Sequence, residues 1–335
     1  MDDRTAHVGE TIRCRICGQD AACNRGELNY YVGFCWPVFD CAACGCLFTL
    51  HDLSVYDVLY KETGSCYNRY IGLSEAAKAL FDRGDLAQLK AELSQSSKYR
   101  FIIEQIAQEP AEARLLEIGC SRGHLTSYFI IAKRHVTGVD VSPKAVAEAK
   151  ASFGDHFVLP DDPSIEGNAP YDVIYHVGTI GCVADPIGMT RKLLGMLKPG
   201  GRLLFNAPNR DSCVLRDQLW LDSTPPPDLV TMYRPGFWGQ HFGHVAEVCE
   251  QVEHESPQQN FIIGSQKLAG RKWRKPVPIS LNESNLQSAP PPAWSDMLWR
   301  NIARVVRRTG PWIGIYRLVP SRPTEFGLFV KMTKK

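Results

Sequence analysis

The feature that most restricts this chain is a stretch of about ninety residues in which short apolar runs and helical segments alternate. Arg114–Ile118 reads as a strand entering a tight turn, and Leu125–Ala132 as a helix. Val136–Val141 reads as a second strand, with Ser142-Pro143 opening a helix that runs through Lys150. His156–Leu159 is a short strand, and Tyr171–Val177 a fourth strand, nearly all apolar. Such a run is what a strand covered on both faces requires. Met189–Leu197 reads as a helix stopped by Pro199-Gly200-Gly201, and Arg202–Asn206 as a fifth strand. Strand-helix alternation of this kind points to an α/β fold, a doubly wound and mostly parallel sheet with helices on both faces.

Open sheets of this type bind ligands outside the C-terminal ends of their strands. The run Glu117-Ile118-Gly119-Cys120-Ser121-Arg122-Gly123 occupies that place after the first strand. Gly119 suits a sharp turn, and Gly123 lets the next helix pack closely with its free N–H groups toward a ligand. Gly-x-Ser-x-Gly does not meet the Gly-x-Gly-x-x-Gly template for a pyrophosphate. Glu117 also suits a cationic ligand better than an anionic one. Asp140 ends the next strand, 17 residues after Gly123. Its two acceptor oxygens match the vicinal diol of a ribose.

Here the sequence resembles the class I S-adenosylmethionine methyltransferases. Their acidic, glycine-rich first motif is matched by Glu117, Gly119, Ser121 and Gly123, with Ser121 where the family has glycine. Gly138-Val139-Asp140-Val141-Ser142 is similar to the ribose-binding strand end. Pro170–His176 resembles the fourth strand, Leu197–Leu203 the turn before the fifth, and Gly327–Lys331 the closing antiparallel strand. The resemblance implies a seven-stranded Rossmann-like sheet and S-adenosylmethionine as cofactor. It implies cofactor contacts from Glu117, Gly119, Cys120, Ser121, Gly123, Asp140 and Val141. It further implies adenine contacts from Asp161 or Asp162, which surface turn residues would mimic, and a wall of His176, Val177 and Gly178 near the methionine moiety.

An oxygen nucleophile usually needs a base as well as alignment. Many family members carry a histidine in a Leu-Glu-His-Val run after the fourth strand. The corresponding run here, Ile180-Gly181-Cys182-Val183, has none. His176 is the nearest candidate, and His241 and His244, three apart on a possible helix over 237–253, are the others. For each, structural packing is the competing reading.

The chain has twelve cysteines. Cys14-x-x-Cys17 and Cys41-x-x-Cys44, 23 residues apart, each followed by glycine, form two knuckles suited to a tetrahedral tetrathiolate. Four protein ligands leave no open position, so a structural zinc is expected. Cys23, Cys35, Cys46 and His51 lie nearby as possible substitutes. Residues 1–13 lack an apolar run and no stretch approaches a bilayer span, so a reducing, cytoplasmic setting is expected.

The resulting division is a zinc module over 1–50, a helical linker or cap over 51–110 and a core over 111–269. A basic, Pro-rich insertion or lid follows over 270–322, and a last core strand over 323–335. Residues 261–335 hold 14 Lys/Arg against 3 Asp/Glu, and Trp294–Arg308 reads as a basic amphipathic helix. Asn260–Ser265 and Phe326–Met332 read as strands. The expected activity is methyl transfer to a small-molecule acceptor such as a sugar or polyketide, with oxygen favoured. An RNA methyltransferase using the module and basic tail is the alternative, and a non-catalytic binding protein is a third reading.

Overall fold

A computed structural model describes residues 8–29, 34–50, 53–62, 70–216, 218–221, 224, 226–254 and 325–335. The expectations for the strand over 260–265 and the helix over 294–308 lie outside these residues.

The first sheet is built from β1 (Thr11–Arg13), β2 (Asp20–Leu28), β3 (Trp36–Cys41) and β4 (Leu47–Thr49), an antiparallel meander. A short helix α1 (Leu53–Tyr56) continues as a π-helical turn, Asp57–Glu62. Three helices then lead to the core: α2 (Ile71–Asp82), α3 (Leu86–Leu93) and α4 (Ser97–Ile106). Asp85 starts α3 by accepting from the Gln88 N–H.

The core alternates as the apolar pattern requires. It runs β5 (Arg114–Ile118), α5 (His124–Ile131), β6 (His135–Val139), α6 (Pro143–Phe153), β7 (Phe157–Val158), α7 (Ser164–Gly167) and β8 (Tyr171–His176). It continues through α8 (Pro186–Gly195), β9 (Leu197–Pro208) and α9 (Asp211–Arg216). Ser142 caps α6 through its side chain and Pro143 occupies the first turn, as read from the sequence. Helix α8 begins earlier than expected, because Asp185 caps the Gly188 N–H and Pro186 sits at the first turn.

The chain then forms β10 (Thr231–Met232), α10 (Phe237–Phe242), β11 (Ala246–His254) and β12 (Glu325–Lys334). The expected helix over 237–253 is therefore corrected. Only its first six residues are helical, and Gly243 ends them. From Ala246 the residues alternate between protected and exposed faces, a period of two, and pair antiparallel with β12.

The large sheet has the order β11-β12-β9-β8-β5-β6-β7. Five strands are parallel, and β12 runs antiparallel to both neighbours. This is the expected Rossmann-like methyltransferase sheet of seven strands. One face buries Leu115, Phe129, Phe157 and Tyr175 with α2–α6. The other buries Leu116, Ile174, Phe205 and Trp238 together with Phe39 and Phe48 of the first sheet. The cysteine-rich segment thus shares a core with the large sheet. It also borrows its fifth strand, since β10 pairs with β4.

Candidate functional site

The turn after β5 is drawn against the end of β6. The Gly119 and Cys120 N–H groups both donate to the Val139 carbonyl, at 2.7 and 3.0 Å. Gly119 has φ +76, and a Cβ there would lie 2.4 Å from Thr179 Oγ1, so both conformation and space demand glycine. Gly123 has φ +78, and a Cβ there would meet the Phe157 ring at 2.6 Å. Ser121 adopts φ +53, the left-handed region for which the family's glycine is suited. Its N–H donates to Asp140 Oδ2 at 2.7 Å, and the Ser142 N–H donates to Oδ1 at 3.0 Å. The Asp140 carboxylate is thereby fixed at the strand end, almost fully buried.

Glu117 is buried at the end of β5. Oε2 accepts from the Thr126 hydroxyl and, at 3.1 Å, from the Tyr175 hydroxyl. Burial pushes its carboxyl up to about 7, against the pull of those two donors, and the Asp140 charge adds to the rise.

These groups open on a cavity of about 320 Å³. Of the residues expected from the sequence, Glu117, Gly119, Cys120, Ser121, Asp140, Val141, Val177 and Gly178 line it. Gly123 does not; it serves packing against Phe157. Asp161 and Asp162 do not, although Pro160 and Ile165 on either side do. Asp162 instead accepts from the Ser164 N–H at 2.9 Å in the turn before α7.

The three histidines are not brought together. His176 is fully buried on the opposite sheet face from Tyr175, stacked on Phe205 at 4.6 Å, and neither nitrogen has a hydrogen-bond partner among the described residues. Burial pulls it down to about 3. The His241 ring bonds the Phe237 carbonyl one helical turn back, at 2.8 Å. His244 is exposed beyond the end of α10. None of the three lines the cavity.

Sequence reasoning missed the opposite wall. Tyr56, Tyr60, Tyr70 and Tyr99 come from the helices before the core, and His124 from the first turn of α5. His124 Nε2 lies 2.7 Å from the Tyr99 hydroxyl, the ring stacks on Tyr70, and burial holds it down to about 4. Its position immediately after Gly123 was the available signal: the first helical residue past such a loop must face the cavity or the capping helices.

The four cysteines converge. The Sγ atoms of Cys14, Cys17, Cys41 and Cys44 all lie within 4.8 Å of one another. The Cys14–Cys44 and Cys17–Cys41 pairs are each 3.8 Å apart. A tetrahedron with metal–sulfur bonds of about 2.3 Å has edges of about 3.8 Å, so the spacing fits zinc. Each knuckle closes by a bond from the glycine N–H to the first cysteine's carbonyl, Gly18 to Cys14 and Gly45 to Cys41, both 2.8 Å.

Residues 87–254, half of the chain, match the family model described as a methyltransferase domain. The chain belongs to this methyltransferase-domain family. The ubiquinone biosynthesis O-methyltransferase of Xanthomonas axonopodis pv. citri is 30% identical over 109 residues, 30% of this chain and 46% of that one. The enzyme of the same name from Pseudomonas savastanoi pv. phaseolicola is 31% identical over 108 residues, 30% of this chain and 47% of that one. The chain thus spans about half the length of the curated relatives it matches. Among solved structures, a SAM-dependent methyltransferase of Thermotoga maritima, described as a possible histamine N-methyltransferase, aligns at 14% identity. That alignment has a TM-score of 0.42 and covers 83% of this chain and 100% of that chain.

Proposed function

We propose that this methyltransferase domain binds S-adenosylmethionine in the β5–β6 cavity and transfers its methyl group to an oxygen of a small-molecule acceptor. The observation that carries the reading is the pair of buried carboxylates, Glu117 and Asp140, held at adjacent strand ends around a glycine turn. In this reading Asp140, already oriented by two backbone amides, accepts from the ribose hydroxyls. Glu117 faces the positive methionine end, and Gly119, Cys120, Ser121, Val141, Val177 and Gly178 shape the cradle. The cofactor supplies an electrophilic methyl on a sulfonium. The protein's part is to align the acceptor in line with that bond and exclude water.

A small acceptor is favoured over RNA because Arg15, one of the two arginines within residues 14–48, is turned into the interior and bonded there. Oxygen as the accepting atom is supported by the relatives, whose names specify O-methylation. With His176, His241 and His244 off the cavity, His124, which lines it beside Tyr99, is the histidine placed to take the acceptor's proton. We further propose that Cys14, Cys17, Cys41 and Cys44 hold a structural zinc. The domain division is proposed as read from the sequence, with the core's last strand supplied by 323–335.

Calorimetry with S-adenosylhomocysteine tests the cofactor assignment. Binding by the full chain, with loss of at least roughly a hundredfold in Asp140→Ala, is expected. That loss corresponds to about 2.7 kcal/mol. No binding by the unaltered chain at millimolar ligand would end the reading.

A further inference from the structure

Arg15 lies between two metal-type cysteines, in the turn closed by the Gly18 N–H on the Cys14 carbonyl. Its guanidinium leaves the knuckle and reaches two segments of the core. Nη1 donates to the Ala184 carbonyl at 2.8 Å. Nη2 donates to the Val230 carbonyl at 3.0 Å and to the Thr231 hydroxyl. The planar group also lies over the Phe48 ring, 5.4 Å from its centroid.

Both segments belong to the loop after β8, directly or at one remove. Ala184 follows Cys182 and Val183, which line the cavity. The Val230 and Thr231 N–H groups donate to the Gly181 carbonyl, at 2.7 and 3.0 Å. The Tyr233 hydroxyl donates to the Ile180 carbonyl at 2.9 Å. The outer side of loop 178–184 is therefore secured by the knuckle and by segment 229–233, while its inner side is cavity wall. A second tie runs from the other knuckle. Arg210 donates to both oxygens of Asp40, at 2.6 and 3.1 Å, and to the Gly45 carbonyl at 3.0 Å.

We propose that Arg15 is a positioning residue: it transmits the rigidity of the four-cysteine module to loop 178–184 and so holds the cavity wall formed by Cys182 and Val183. The module is a buttress of the methyl-transfer site, which rests on the function proposed above, and not a separate docking unit. A rigid fork with several fixed donors is suited to spanning separate carbonyls; a lysine offers one compact charge and can satisfy fewer of them.

The test compares the unaltered chain with Arg15→Ala, Arg15→Lys and Thr231→Val. The readouts are metal content, amide exchange by segment and calorimetry with S-adenosylhomocysteine. Arg15→Ala is expected to retain its metal and to exchange in 178–184 roughly tenfold faster. Its ligand affinity is expected to fall by a similar factor, about 1.4 kcal/mol. Arg15→Lys restores part of both losses, and Thr231→Val shows a smaller change confined to the same loop. Unaltered exchange in 178–184, or faster exchange spread evenly over the whole chain, overturns the proposal. Failure of the unaltered chain to bind the ligand overturns the function itself, whereas equal binding by all four proteins removes only the role of Arg15.

Discussion

Replacing Glu117 by glutamine removes a charge that the fold holds buried at considerable cost. The carboxyl rises from 4.5 in an exposed setting to about 7 in the folded protein. A raised acid favours the protonated form in the native state. Its stabilising contribution is complete below pH 4.5 and is lost as pH climbs through 7. At about 1.36 kcal/mol per pH unit, the loss amounts to about 3 kcal/mol by pH 8. Glutamine is neutral throughout. Its amide oxygen can still accept from both Thr126 and Tyr175, which donate to one carboxylate oxygen in the native site. Urea unfolding followed by tryptophan fluorescence at pH 4, 6 and 8 measures the difference. Glu117→Gln should match the unaltered chain at pH 4 and exceed it by about 3 kcal/mol at pH 8. With a slope of roughly 3 kcal/mol per molar urea, the midpoint moves by about 1 M. Affinity for S-adenosylhomocysteine at pH 8 should fall in the same variant, since its ammonium loses an ionised partner. A stability difference that is independent of pH would refute the argument from burial.

Three further outcomes follow from the same geometry. Gly119→Ala places a methyl against Thr179 Oγ1 at a positive φ; thermal unfolding should report a loss of about 2–4 kcal/mol, with weakened ligand binding, and wild-type values would contradict the packing. His176→Leu removes a histidine held neutral by burial, whose contribution is present above pH 6.5 and lost as pH falls toward 3. The variant should gain about 2 kcal/mol over the unaltered chain at pH 5 and keep its cofactor affinity, because His176 lies off the cavity; a tenfold loss of affinity would place it back in the site. Stripping the metal with a chelator should lower the unfolding temperature by roughly 10 °C, a few kcal/mol for a chain of this size, and raise amide exchange across β1–β4. An unchanged temperature would mean that the four thiols need no metal.

The parts of the site legible in the sequence are those fixed by backbone demands. Gly119 supplies the positive φ of the turn after the first strand, and Asp140 ends a strand whose partner turn it must face. The sheet could be read from its apolar strands, since burial on both faces leaves a plain signal in strands such as Tyr171–His176. Ambiguity entered where two periods overlap. Phe237–Phe242 is helical and Ala246–His254 is extended, and without weight on Gly243 they read as one helix. His176 was misplaced for a related reason. Adjacent strand residues face opposite ways, so once Tyr175 points to Glu117, its neighbour must enter the other core. The tyrosine wall was not legible at all. It depends on how α1, α2 and α4 pack over the strand ends, which no local pattern in 56–99 encodes.

The charge of the cavity bears on which ligand it selects. Asp140, joined by Glu117 as it ionises above about pH 7, gives the cavity a negative potential, and His124, held near 4 by burial, adds no compensating charge at neutral pH. Among the described residues Lys192 is the cationic side chain on the lining, and its ammonium lies 3.8 Å from Glu166, with two thirds of the side chain exposed. A pyrophosphate would meet two carboxylates here, whereas a sulfonium with an ammonium would find complementary charge. The same imbalance separates substrate from product. Methyl transfer converts the sulfonium to a neutral thioether, so S-adenosylhomocysteine keeps one positive charge fewer against an unchanged cavity. Its affinity should therefore lie below that of S-adenosylmethionine at low salt, with the gap narrowing as salt rises; a product that binds more tightly than the substrate under those conditions would show that shape, not charge, governs the site.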